Sequence, residues 1–245
     1  YLGVDIFFVI SGYLITSIIF KEIKITKKFS FIKFYERRIR RIIPALIVVI
    51  AASIPFAWIY LLPNDLIEFS WSIISSLIFA SNLFFYFNQE YGAIDGLYKP
   101  LLHTWSLGVE EQFYILFPFL FYLFFKLSKK NILIALAFFF LISISVSDFG
   151  SKNFPIATFY FLHSRIWELL AGSILAYYEY RLGHRSENKN YKIIFPIIGL
   201  TLIFLSILFF NNQTRHPSFI SLIPIFGTCL IIWFTDKNHF IGKIL

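Results

Sequence analysis

Eight apolar runs fill most of this chain, at 3–20, 42–62, 66–87, 105–125, 131–147, 156–178, 193–210 and 219–235. A helix needs roughly 20 apolar residues to cross a hydrocarbon core of about 30 Å, and most of the runs reach or approach that length. Only helices and closed barrels satisfy their backbone groups in lipid. These runs are continuous and lack the alternating segments of about ten residues that mark barrel strands. They predict an all-α, polytopic transmembrane bundle. Composition agrees, with 58% hydrophobic and only 15% charged residues, against about 25% charged in an ordinary soluble domain. Too few charges remain to cover a water-facing surface. A nucleic-acid module is excluded as well, because the basic residues punctuate apolar runs and form no long basic face. The single Cys229 excludes a disulfide framework and a cysteine metal site. Five histidines are scattered without metal-ligand spacing, so no metal is expected.

Charge sets the expected topology. Nine basic residues between Lys21 and Arg41 form the densest block and read as cytoplasmic. Lys126, Lys129 and Lys130 form a second block; Arg181, Arg185, Lys189 and Lys192 form a third, followed by Lys237 and Lys243. Segments 148–155 and 211–218 carry little positive charge, so the sides alternate from 126 onward. The 66–87 run breaks the pattern if it spans. Glu68, Ser72, Ser75, Ser76 and Asn82 also spread polar groups along it. It reads as an irregular element, interfacial or dipping into the bundle, beside seven spans; eight full spans is the other reading. With no Met even at position 1, and an apolar run at its very start, the sequence reads as a piece of a longer polytopic protein.

Ionisable residues inside a membrane are costly and are functional candidates by default. Asp5 stands near the boundary of the first run, where Ser11 and Gly12 interrupt the apolar residues. Asp5 is either a solvated helix-start residue or part of a site, and the Ser-Gly pair permits close helix packing. Arg37, Arg38, Arg40 and Arg41 precede Pro44. Arg38 and Arg41, three apart, share a helical face and suit bidentate binding of a phosphate or carboxylate; the plainer reading is a topology anchor. His103, Glu110 and Glu111 crowd the start of the 105–125 helix. Helix-start acids are stabilised by unpaired N–H groups, but two adjacent acids point about 100° apart, so at least one faces the bundle interior. Arg165 and Glu168, three apart, form either an ion pair locking helices or the lining of a polar cavity, and Gly172 permits close packing one turn on.

No Walker loop, G-x-G-x-x-G, H-E-x-x-H or G-x-S-x-G occurs. Asn212-Gln213-Thr214 is a weak match to a glycosylation sequon. Taken together and in order, GVDIFFVISGYLI at 3–15, FYERRIRRIIPAL at 34–46, HTWSLGVEEQFYILFP at 103–118 and RIWELLAGSILA at 165–176 resemble the acyltransferase family 3 membrane proteins. These are bacterial proteins that acylate cell-surface polysaccharides, lipopolysaccharide and peptidoglycan.

The resemblance implies a core of about ten transmembrane helices, of which this sequence holds seven or eight, in a bacterial cytoplasmic (inner) membrane. It implies transfer of an acyl group, acetyl by default, from cytoplasmic acyl-CoA to a hydroxyl of a surface or lipid-linked glycan. No tightly bound cofactor is expected; partners are membrane lipids and the glycan acceptor, with no nucleic acid. By motif, Arg38 and Arg41, with Arg37 and Arg40 beside them, handle the donor. Glu110 matches the family's acidic position, with His103 in support and Glu111 in the next, more variable place. Asp5, Ser11, Arg165 and Glu168 are the other polar intramembrane positions. The family's catalytic histidine, about ten residues beyond an arginine, falls on a helix that would precede residue 1. The alternative is a transporter or flippase of a glycan or lipid-linked sugar, which would show inverted repeats and broken helices.

Overall fold

The computed structural model describes residues 2–88, 99–127, 131–183, 191–211 and 214–235. Lys129, Lys130, His184, Arg185, Lys189, Asn212, Gln213, Lys237, His239 and Lys243 lie outside the described residues. The helices are α1 (Leu2–Thr26), α2 (Phe31–Tyr60), α3 (Pro63–Leu77), α4 (Ser81–Phe87), α5 (Thr104–Leu127), α6 (Ile132–Asn153), α7 (Pro155–Tyr160), α8 (Leu162–Leu182), α9 (Tyr191–Phe209) and α10 (Leu222–Phe234). A 3-10 turn at Phe219–Ser221 leads into α10. Among the described residues there is no strand.

All eight apolar runs are largely helical, but among the described residues five helices are long and apolar enough to cross a membrane: α1, α2, α5, α6 and α9. The expectation of seven or eight spans is met only in part. The 66–87 run breaks into α3 and α4, of 15 and 7 residues, and the 156–178 run breaks into α7 and α8. Phe79, at the first break, has φ of +56°, a left-handed conformation that costs a residue with a Cβ roughly 1–2 kcal/mol. Bonds on both sides hold it: Gln112 Nε2 donates to the Phe79 carbonyl, and the Ala80 N–H donates to the Ser75 carbonyl. Along α3 the pattern of a soluble protein is reversed. Ser72, Ser75 and Ser76 are buried, while Ile67, Trp71 and Ile74 are exposed. α2 likewise exposes Val48, Phe56, Trp58 and Ile59. Large apolar side chains on the outside with polar ones inside is what lipid as solvent demands.

The chain forms two compact units. One holds residues 28–117 and 160–162; the other holds 1–27, 118–159 and 163–245. In the first, Leu46, Ile50, Ala57, Phe69 and Leu101 form an apolar cluster. Polar pairs also tie α3 and α4 to α5: Ser76 with Thr104 at 2.8 Å, and Gln112 Nε2 donating to Asn82 Oδ1 at 2.8 Å.

In the second unit α1 and α8 run side by side in the same direction, because contacts advance together along both. Asp5 meets Arg165, Ser173 Oγ donates to the Gly12 carbonyl, and the Tyr13 hydroxyl donates to Glu179. Further along, Phe20 stacks on Tyr180 at 4.1 Å and packs edge-on against Phe121 of α5 at 5.0 Å. The basic end of α1, the Arg181 end of α8 and the later turns of α5 therefore meet at one end of the unit, the grouping that the charge blocks call for.

Two glycines permit the α1–α8 approach. A Cβ on Gly12 would lie 1.9 Å from the Leu169 carbonyl oxygen, and one on Gly172 would lie 1.9 Å from that of Val9. Gly199 of α9 and Gly227 of α10 face each other in the same way. In lipid no hydrophobic force draws helices together, so such close packing carries much of their association. Gly12→Leu or Gly172→Leu should push the backbones apart and cost about 3 kcal/mol or more. Gly3→Leu should be neutral, because a Cβ there would meet nothing within 4 Å. Thermal unfolding in detergent checks this; equal melting of all three variants would refute it.

Candidate functional site

Two buried polar clusters stand out, one in each unit. In the first unit the arginine segment of α2 meets the acidic segment of α5. The Arg38 guanidinium carbon lies over the Tyr114 ring, 3.8 Å from its centroid. The Tyr114 hydroxyl donates to Glu110, one turn earlier on the same helix. Glu110 and Glu111 are both buried, 5% and 7% exposed. Glu111 lies within electrostatic reach of Arg38 and Glu110, and its Oε1 has no hydrogen-bond partner among the described residues.

Pro118 explains the position of α2 against this site. Proline has no N–H, so the carbonyl four residues earlier, on Tyr114, loses its helical donor. The Tyr35 hydroxyl supplies one, 3.3 Å from the Tyr114 oxygen and 3.1 Å from that of Ile115. Arg38, three residues beyond Tyr35, shares its helical face and is thereby carried onto the Tyr114 ring.

The other arginines differ. Arg40 pairs with Glu36 at 2.8 Å on the exposed face of α2, and Arg37 and Arg41 are exposed. α2 continues through Pro44, as intramembrane helices do when they pass a proline. His103 does not join Glu110. It is exposed at the start of α5, where its carbonyl accepts a bond from Ser106 Oγ. At about 1.5 Å per residue, seven residues put Glu110 ~10 Å further along the axis.

The second cluster centres on Arg165, which is 0% exposed, as are Asp5 and Glu168. Arg165 Nη1 lies 3.0 Å from Asp5 Oδ1 and 3.0 Å from Glu168 Oε1. The sequence-predicted pairing of Arg165 with Glu168 is present. Asp5 joins it, so the solvated helix-start reading of Asp5 is corrected: burial in the unit forces it onto a cation. Neither Arg165 nor Glu168 reaches the surface, and Glu168 Oε2 has no hydrogen-bond partner among the described residues. Ser11 is buried in α1, one residue from the Gly12 crossing.

Sequence reasoning missed His216, on the connection before α10. Its Nε2 lies 3.1 Å from Arg165 Nη1, and its Nδ1 lies 3.0 Å from Ser221 Oγ. The same Nε2 lies 3.2 Å from Asp5 Oδ1, so the ring sits against both the cation and one of its carboxylates. Burial pushes His216 below the usual imidazole range; Asp5 acts the other way and Arg165 reinforces the shift. No spacing rule links positions 51 residues apart. The only signal was a histidine beside Pro217 in a segment poor in charge.

Arg165→Ala would leave two carboxylates buried without their cation, at a cost of about 3–5 kcal/mol. His216→Ala removes one neutral partner and should cost about 1–2 kcal/mol. Thermal unfolding of both variants in detergent measures the order; an Arg165→Ala protein as stable as the parent would overturn it.

Among the described residues no group of side chains could hold a metal ion. The sequence model of one protein family, described as an acyltransferase domain, matches residues 1–245. An uncharacterized protein of Haemophilus influenzae is 35% identical over 245 residues, covering 96% of this chain and 99% of that protein. The O-acetyltransferase OatA of Staphylococcus aureus is 34% identical over 213 residues, which is 82% of this chain but 34% of OatA. The chain thus spans about a third of the length of that relative. No solved structure matches. A family match along the whole chain, two relatives above 30% identity and five membrane-length helices lead to one conclusion: the chain belongs to the acyltransferase family 3, as an acyltransferase-type enzyme of the bacterial cytoplasmic membrane.

Proposed function

We propose that the protein transfers an acyl group, acetyl by default, from cytoplasmic acyl-CoA to a hydroxyl of a cell-surface or lipid-linked polysaccharide. The observation that carries this reading is the meeting of the arginine and acidic motifs, with Arg38 stacked on Tyr114 and Tyr114 bonded to Glu110. The name of OatA, an O-acetyltransferase, supports the acetyl group and the oxygen acceptor. A glycan acceptor comes from the family resemblance, and membrane lipids surround the exposed apolar faces.

Arg38, with Arg41 on the same face and Arg37 and Arg40 beside them, binds the phosphates of the CoA moiety. Bidentate guanidinium–phosphate bonds suit a polyanionic donor. Glu110 orients the site through Tyr114, and Glu111 places a second carboxylate next to Arg38. His103 stands on the opposite, non-cytoplasmic side, toward the acceptor. At about 1.5 Å per residue it is separated from the level of Tyr114 by ~15 Å of α5, which suits a donor-in, acceptor-out arrangement. In the reaction an oxygen nucleophile, either the acceptor hydroxyl itself or an enzyme group that then passes the acyl group to that hydroxyl, gives its proton to a general base as it attacks the thioester carbonyl. The C–S bond breaks, the thiolate of CoA takes up a proton, and an ester remains on the acceptor. The Arg165 cluster, wholly buried, acts as a structural lock. The breaks between α3 and α4 and between α7 and α8 are what a transporter also predicts, and the family match favours the acyltransferase reading over it.

Arg38→Ala combined with Arg41→Ala should weaken binding of labelled acetyl-CoA to the whole protein in membranes by about ten-fold or more. Acyl labelling of membrane glycan should fall in parallel. Unchanged donor binding with unchanged labelling would reject the donor site.

A further inference from the structure

We propose that Tyr114 is a positioning residue that links donor binding to the acidic motif: its ring holds the Arg38 guanidinium and its hydroxyl holds Glu110. The inference rests on the reading of Arg38 as a donor-phosphate contact and adds to it the residue that makes the contact possible.

A guanidinium over the face of an aromatic ring is attracted by the ring's quadrupole, and that attraction uses none of its five N–H donors as a hydrogen bond. The Arg38 side chain has the Tyr114 ring and the charge of Glu111 as neighbours and makes no hydrogen bond among the described residues, so its N–H edges stay available to an oxyanion. A long, flexible arginine otherwise loses much side-chain entropy on binding; the stack removes part of that loss in advance.

The same ring carries a hydroxyl that donates to Glu110. Glu110 therefore takes one orientation as long as the ring keeps its place. The ring is itself fixed, being 1% exposed, with its backbone carbonyl accepting from Tyr35. Tyr35 and Arg38 lie on one face of α2, so one contact between α2 and α5 sets Arg38, Tyr114 and Glu110 together. Face and edge of Tyr114 have separable duties, and this sets it apart from a residue that merely fills space.

Binding of labelled acetyl-CoA and of acetyl-pantetheine, which lacks the phosphates, to the whole protein in nanodiscs tests the proposal. Tyr114→Leu removes the ring and should raise the Kd for acetyl-CoA roughly five-fold, leaving that for acetyl-pantetheine unchanged. Tyr114→Phe keeps the ring and should leave both Kd values within about two-fold while lowering acyl turnover through the released Glu110. Equal weakening of both donors by Tyr114→Leu, or of acetyl-CoA by both variants, overturns the positioning role. If Tyr114→Leu does not yield a monodisperse protein, Tyr35→Phe takes its place. That change removes only the bond to the α5 carbonyls, and an unchanged Kd for acetyl-CoA then overturns the proposal. Arg38→Ala separates the two levels. If it leaves acetyl-CoA binding intact, the donor reading itself fails; if it weakens binding while Tyr114→Leu does not, only the role of Tyr114 fails.

Discussion

Arg165 is the constraint around which the second unit is arranged. A guanidinium does not give up its proton inside a protein, and an uncompensated charge buried in an apolar interior is too costly to persist. Full burial of Arg165 therefore requires carboxylates at hydrogen-bond distance, and Asp5 and Glu168 provide them. Asp5 comes from α1 and Glu168 from α8, while His216 brings in the segment before α10. Once those three are placed, the register of α1 against α8 is set. Gly12 and Gly172 then fall where the helices cross, and Tyr13 falls beside Glu179. Ion pair and glycine contacts are cooperative in this sense. Neither is satisfied unless the helices run in the same direction and in the same register.

The first unit reaches specificity by a different route. Many of its buried polar contacts are between neutral hydroxyls and amides along α3, α4 and the start of α5, with Ser76, Thr104, Asn82 and Gln112 as the main pairs. Such bonds draw helices together in lipid without any hydrophobic drive. Lys99 pairs with Glu68 of α3, and the buried acids Glu110 and Glu111 meet Arg38 further along α5. Around Arg165 the charges are wholly buried and paired with one another, each carboxylate bonding through one oxygen while Asp5 Oδ2 and Glu168 Oε2 have no partner among the described residues. Around Arg38 the cation lies over a ring, and Glu111 Oε1 likewise has no partner among the described residues.

Much of the fold was legible in the sequence because lipid makes hydropathy nearly decisive. Every apolar run became helix. The breaks were less legible. Phe79 and Phe161 are both apolar, and nothing in hydropathy marks them as hinge points between α3 and α4 or between α7 and α8. For the sites, spacing of three and four residues reached what lies on one helix, namely Arg165 with Glu168. Contacts between helices were out of reach of spacing. Asp5 and Arg165 are 160 residues apart, and Arg38 and Tyr114 are 76 apart. Tyr114 looked like one more aromatic in a chain with 21% aromatic residues. Its part depends on a neighbour that only the fold supplies.

Pro118 has a consequence beyond its own helix. An α-helix presents to its neighbours a lateral surface whose backbone acceptors are already engaged, so side chains normally find no address along it. A proline creates one, at a known offset of four residues toward the N-terminus. In α5 that address is the Tyr114 carbonyl, and Tyr35 occupies it. α2 carries Pro44 and Pro55 and α9 carries Pro196, which withdraw the helical donor from the carbonyls of Arg40, Ala51 and Lys192. The proline of α5 thus acts as a socket in an otherwise featureless wall, and its position can be counted from the sequence before any coordinate is known.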